Sequence, residues 1–172
     1  MPLNSDFFTI LFADDTTLEA KGKDLNELIT RANVWLIKAE EWFIANRLTL
    51  NAKKTKCILY SPNRYSPPFP IPLKIGGTKI DRIGLRFPTK AFKLVGVYLD
   101  DYMKWGEHAK HVCSKLARTS YALVRLKNMV PVNIKLQIYR SLFKCHIDYC
   151  LPVWGNCPSP FTKTIEKINK KL

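Results

Sequence analysis

Asp14 and Asp15 stand side by side within an apolar, β-prone stretch, Phe7 to Ala20, FFTILFADDTTLEA. Phe7, Phe8, Ile10, Leu11 and Phe12 read as a short buried strand, and Thr16, Thr17 and Leu18 can carry the returning strand. Aspartate tolerates tight-turn backbone angles, so the pattern predicts a hairpin with both acids in its turn. Carboxylate oxygens on a rigid turn suit a hard cation such as Mg²⁺, which takes one or two protein carboxylates and completes its shell with water and substrate phosphates. The plainer alternative is an acidic hairpin tip facing water. A second acid pair closes Tyr98-Leu99-Asp100-Asp101. The five cysteines (Cys57, Cys113, Cys145, Cys150, Cys157) form no CxxC pair, and with His146 they fit no standard zinc spacing, so free thiols are expected.

These residues need elements to hold them. Asp24 with Glu27 three residues on is a capping-box pattern. Leu25, Leu28, Ile29, Ala32, Trp35, Leu36, Ala39, Trp42 and Phe43 then recur at helical spacing, which predicts a core helix behind the hairpin. Asn46 or Arg47 ends it. Asn51-Ala-Lys-Lys-Thr-Lys56 leads into a strand, Cys57–Tyr60. Five prolines in Ser61–Pro72 mark an irregular loop or linker, Gly76-Gly77 marks a hairpin between Leu73–Ile75 and Lys79–Ile83, and Ala91–Leu99 reads as one further strand. From Trp105 on, helical spacing dominates. Val112, Leu116, Thr119, Leu123 and Leu126 form one stripe up to Met129; Pro131 opens a second helix carrying Ile134, Ile138, Tyr139, Leu142 and Phe143. Pro152, Pro158 and Pro160 are expected to break the chain before a last helix from Thr162, and that helix stops without a C-terminal signal, so a truncated chain is expected.

The 172 residues suffice for one ordinary domain or two small ones, and 47% hydrophobic content supplies a core. Net charge is +14, and it is uneven: +5 over residues 1–100 and +9 over residues 101–172. Such a balance implies a polyanionic partner. No secretory signal or stretch of membrane-spanning length occurs, and the odd cysteine count suits a reducing, intracellular setting, with nucleus and cytoplasm both open. The basic helices have no unusually large bulky apolar face, so no membrane partner is expected.

The order of motifs is more specific than any one of them. Phe12-Ala13-Asp14-Asp15 is followed by the Trp-rich helix, then Asn46-Arg-Leu-Thr-Leu-Asn-Ala-Lys-Lys-Thr-Lys56, then Phe92-Lys-Leu-Val-Gly-Val-Tyr-Leu-Asp100, Trp105, His108, Asp148-Tyr149 and Val153-Trp154-Gly155. This run resembles, over nearly the whole chain, the C-terminal palm and thumb of reverse transcriptases from non-LTR retrotransposons of the jockey type. The resemblance implies an α+β fold. Residues 1–100 would be a partial palm of hairpin, helix and strands, and residues 101–172 a basic helical thumb. It makes Asp14 the principal ligand of catalytic Mg²⁺ (or Mn²⁺) and Asp15 a supporting one. It places Lys54 near the incoming triphosphate, and it makes Leu94, Val95, Gly96 and Val97 a strand that helps hold the primer end. Lys110, Lys115, Arg118, Arg125, Lys127, Lys135, Arg140 and Lys144 would track the backbone of an RNA template and DNA primer. Asp100-Asp101 is set aside because the helix and the Asn-x-x-Lys-Thr segment follow Asp15 instead. The resemblance also implies a further catalytic aspartate on a strand far upstream, with the fingers that hold the dNTP. Only thirteen residues precede Asp14, so the chain is expected to be a polymerase fragment, inactive alone unless another chain supplies the missing fingers and palm. The alternative is a non-catalytic nucleic-acid-binding remnant that uses the basic helices.

Overall fold

The computed structural model describes residues 7–61, 68–126 and 128–170; Lys127 and residues 62–67 of the proline-rich segment lie outside them. The described residues mix α-helices with four small two-stranded sheets, and the chain divides into two compact units, Met1–Arg82 and Ile83–Leu172.

In the first unit, β1 (Phe7–Phe12) pairs antiparallel with β2 (Asp15–Ala20). Helix α1 (Leu25–Ala45) begins at Asp24, whose carboxylate accepts the Glu27 N–H at 2.8 Å, the expected N-cap. It ends through the two residues named for it. The Asn46 side chain donates to the Trp42 carbonyl, and Arg47 takes a left-handed φ of 59° while Leu48 N–H bonds back to Phe43. Helix α1 serves two small cores. Trp35 and Ala39 pack with Phe7, whose ring stacks on Trp35 at 5.1 Å. Ile29 and Leu36 pack with Leu73, Ile75 and Ile80. Strand β3 (Lys56–Ile58) pairs with β6 (Asp81–Ile83), and Lys56 meets Asp81 at 2.6 Å. Strands β4 (Lys74–Ile75) and β5 (Thr78–Lys79) form the expected Gly76-Gly77 hairpin, with positive φ at both glycines as a type I′ turn requires.

The second unit begins with a difference from the expected strand at 91–99. The chain reverses at Val95-Gly96, giving β7 (Phe92–Leu94) and β8 (Val97–Leu99), with Leu94 opposite Val97. Both turn residues have positive φ, 44° and 86°. The Tyr149 ring abuts Gly96 so closely that a Cβ there would lie 3.1 Å from it, and the Tyr149 hydroxyl donates to the Val95 carbonyl. Gly96 was the available turn signal, masked by the mostly apolar residues on either side of it.

Helix α2 (Gly106–Arg125) buries Ala109, Val112, Leu116 and Leu123 at helical spacing. With Val97, Trp105, Phe143, Trp154 and Cys157 they make the core of this unit. The helix after Pro131 is not uniform: α3 (Val132–Ile138) passes through a π-helical segment, Tyr139–Lys144, into α4 (Cys145–Asp148). The wider turn brings Phe143 to full burial and stacks it on Tyr139 at 5.2 Å, while Ile134 and Leu142 face outward, against the expected stripe. Thr119 of α2 donates its hydroxyl to the Leu142 carbonyl. Pro152 and Pro160 do not interrupt helices; each sits in the first turn of one, α5 (Leu151–Trp154) and α6 (Ser159–Asn169).

Candidate functional site

The register of β1 and β2 sets the geometry of the first acid pair. Phe12 pairs with Asp15, so the turn is only Ala13-Asp14, and Asp15 opens the returning strand. Ala13 adopts a φ of 53°, a left-handed conformation that costs an alanine about 1–2 kcal/mol. Asp14 and Asp15 are both exposed. Two adjacent carboxylates on a tight turn fit one divalent cation that shares its shell with phosphate oxygens. Among the described residues no group of three or more His, Cys, Asp or Glu could hold a metal ion.

The Asn51-Ala-Lys-Lys-Thr segment folds through its first residue. Asn51 Oδ1 accepts the Lys54 N–H at 3.1 Å, and its carbonyl accepts the Thr55 N–H and hydroxyl, both at 2.9 Å. Asparagine and threonine therefore build the turn, and Lys54 is exposed at its end, in the same unit as the hairpin.

Asp100 and Asp101 have the opposite character. Asp100 is 1% exposed and accepts the N–H groups of Tyr102, Lys104 and Trp105. Asp101 accepts the Leu85 N–H, and its other oxygen lies where a Cβ on residue 84 would stand, so Gly84 admits it. These two carboxylates shape the loop leading into α2. His108 is also buried: its Nδ1 accepts the Tyr98 N–H at 3.3 Å, and its ring meets Trp154 edge-on.

The basic side chains on the helices divide by what they touch. Lys110 is paired with Glu107 and Lys144 with Asp148. Arg125 lies over the Tyr121 ring, Lys135 is half-buried, and Arg140 is exposed. Lys115 and Arg118 join residues that the sequence reading did not select. His111, Lys115 and Arg118 recur at helical spacing on α2. The His111 ring lies 4.9 Å from Tyr98 of β8. Tyr98 pairs across the hairpin with Lys93, which places both on one face, and α2 also packs against α4, which carries His146. Burial lowers the pKa of His111, and the charges of Lys115, Lys93, Arg118 and His146 lower it further. Burial and Lys115 lower that of His146. Next to this group an open cleft of about 630 Å³ is lined by Lys90, Tyr98, Glu107, Lys110 and His111, among others. The histidines carried a usable signal, the His111–Lys115–Arg118 spacing; Lys93 and Tyr98 did not, because their pairing depends on the unrecognised turn.

The cysteines are free. Burial pushes the Cys57 thiol up to about 11, so it stays protonated and unreactive near neutrality. No helix among the described residues is long and apolar enough to cross a membrane. No protein family, curated protein or solved structure matches the chain.

Proposed function

We propose that these residues form the catalytic-hairpin portion of an RNA-directed DNA polymerase of the non-LTR retrotransposon type, with a basic helical unit that grips the template–primer duplex. The observation that carries this reading is an exposed Asp14-Asp15 pair at the tip of a hairpin, Asp14 in its turn and Asp15 opening its second strand, with the hairpin's Phe7 packed on α1 and an Asn51-built turn following that presents Lys54. Asp14 and Asp15 would hold Mg²⁺ or Mn²⁺, which when bound polarises phosphate oxygens and activates the attacking hydroxyl. Lys54 would neutralise the triphosphate of the incoming dNTP. A further carboxylate from another strand must complete the site. The exposed side chains of Phe8, Ile10, Leu11 and Phe12 on β1, and its edge unpaired among the described residues, suit such an added strand.

A second reading, binding of nucleic acid without catalysis, is favoured by the charge of the second unit. Residues 83–172 hold 16 Lys and Arg against 5 Asp and Glu. Mg²⁺-dependent extension of oligo(dT) on poly(rA) by a polypeptide that joins these residues to the strand completing the metal site, run beside a salt titration of binding to the same hybrid, separates the two. Extension that Asp14→Ala abolishes supports the polymerase. Binding that weakens with salt, by about 0.7–0.9 in log K per log salt for each neutralised phosphate, but without extension, supports the second reading. Neither activity contradicts both.

A further inference from the structure

We propose that Lys93, Tyr98, His111, Lys115, Arg118 and His146 form one nucleic-acid phosphate site whose grip tightens on protonation of His111 and His146. The inference rests on the nucleic-acid reading above and adds to it where the strand sits and what regulates its binding. Three elements converge here: the β7–β8 hairpin brings Lys93 and Tyr98 to one face, α2 supplies His111, Lys115 and Arg118, and α4 supplies His146.

The surrounding charges define the response. Around His111 the facing groups are Lys93, Lys115, Arg118 and His146, with buried His108 behind it; around His146 it is Lys115. Glu107 and Asp148, the carboxylates on α2 and α4, are paired with Lys110 and Lys144. Burial first, and this like charge second, lowers the pKa of both imidazoles in the free chain. A phosphate strand reverses that field. It neutralises Lys93, Lys115 and Arg118 and places anionic oxygens beside both rings, so the imidazolium form becomes the favoured one. Proton uptake must then accompany binding, and by linkage affinity must rise as pH falls. The cleft beside Tyr98 and His111 is open and lined by Lys90, a concave path that suits a strand better than a flat bilayer.

The test is calorimetry of the 172-residue chain with a mixed-sequence RNA–DNA hybrid near neutral pH, in two buffers of different ionisation enthalpy. The expected result is uptake of between about half a proton and two protons per complex. It is accompanied by affinity about tenfold tighter near pH 6 than near pH 8 and a salt slope steeper by about 1 to 2. His111→Gln with His146→Gln should abolish both the proton uptake and the tightening on acidification. Lys115→Gln with Arg118→Gln should weaken binding at both pH values, whereas Lys21→Gln in the other unit should not. Hybrid binding without proton uptake, or uptake that survives the double histidine variant, overturns this inference and leaves the nucleic-acid reading standing. No hybrid binding at either pH, including the case in which phosphatidylserine vesicles bind instead, overturns both.

Discussion

Asp14 and Asp100 each begin an Asp-Asp pair after an aromatic residue two places upstream, and their surroundings give them opposite duties. Asp14 is exposed on a turn, so Asp14→Ala should change stability in urea by less than about 0.5 kcal/mol. Asp100 accepts three backbone N–H groups at the entry to α2, and Asp100→Ala removes the acceptor from two part-buried donors and from the buried Trp105 N–H. The expected loss is about 3–5 kcal/mol, and equal losses for the two variants would contradict the separation of roles. The strained turn residue Val95 offers a third measurement. A β-branched residue at positive φ is costly, and asparagine before Gly96 is the preferred pair for this turn. Val95→Asn should therefore stabilise the chain by about 1 kcal/mol, seen as a rise of a few degrees in Tm.

At the scale of elements, what was legible in the sequence was what local chemistry decides. Asp24 caps α1, the Gly76-Gly77 turn forms, and the hairpin at Asp14 forms, though Asp15 opens its second strand and, of the apolar β1 side chains, Phe7 is buried while Phe8, Ile10, Leu11 and Phe12 are exposed. What was hidden depends on partners distant in sequence. The reversal at Val95 is held by Tyr149, more than fifty residues on, so an unbroken apolar run reads as one strand. The π segment is likewise a tertiary product, shifting the register so that Phe143 enters the core while Thr119 takes the Leu142 carbonyl. Only the tertiary fold shows that Phe143, rather than Leu142, closes this core. Phe143→Ala should cost about 3–5 kcal/mol, whereas Leu142→Ala, at an exposed position, should cost under about 1 kcal/mol by the same denaturation measurement. Similar losses at both positions would argue for a regular α-helix here. The same dependence on folding hid half of the basic cluster, since Lys93 meets His111 only after the hairpin has formed.

For the whole molecule, three histidines tie stability to pH. His108, His111 and His146 all have pKa values lowered from the ordinary 6.5, mainly by burial. The unfolded chain then binds more protons than the folded one just below that value, so stability falls as pH drops through about 6.5 and recovers above it. Thermal unfolding across this window checks the sign, and a Tm that rises on acidification would contradict it. Nucleic acid should offset this acid weakening, because it favours the charged imidazoles that folding alone disfavours. The central claim concerns the exposed acid pair, and its most direct test is Mg²⁺-dependent primer extension by a polypeptide in which these residues are joined to the strand that completes the metal site. With poly(rA)–oligo(dT) as substrate, Asp14→Ala is expected to abolish extension while leaving hybrid affinity and thermal stability unchanged. Extension retained by Asp14→Ala would contradict the account.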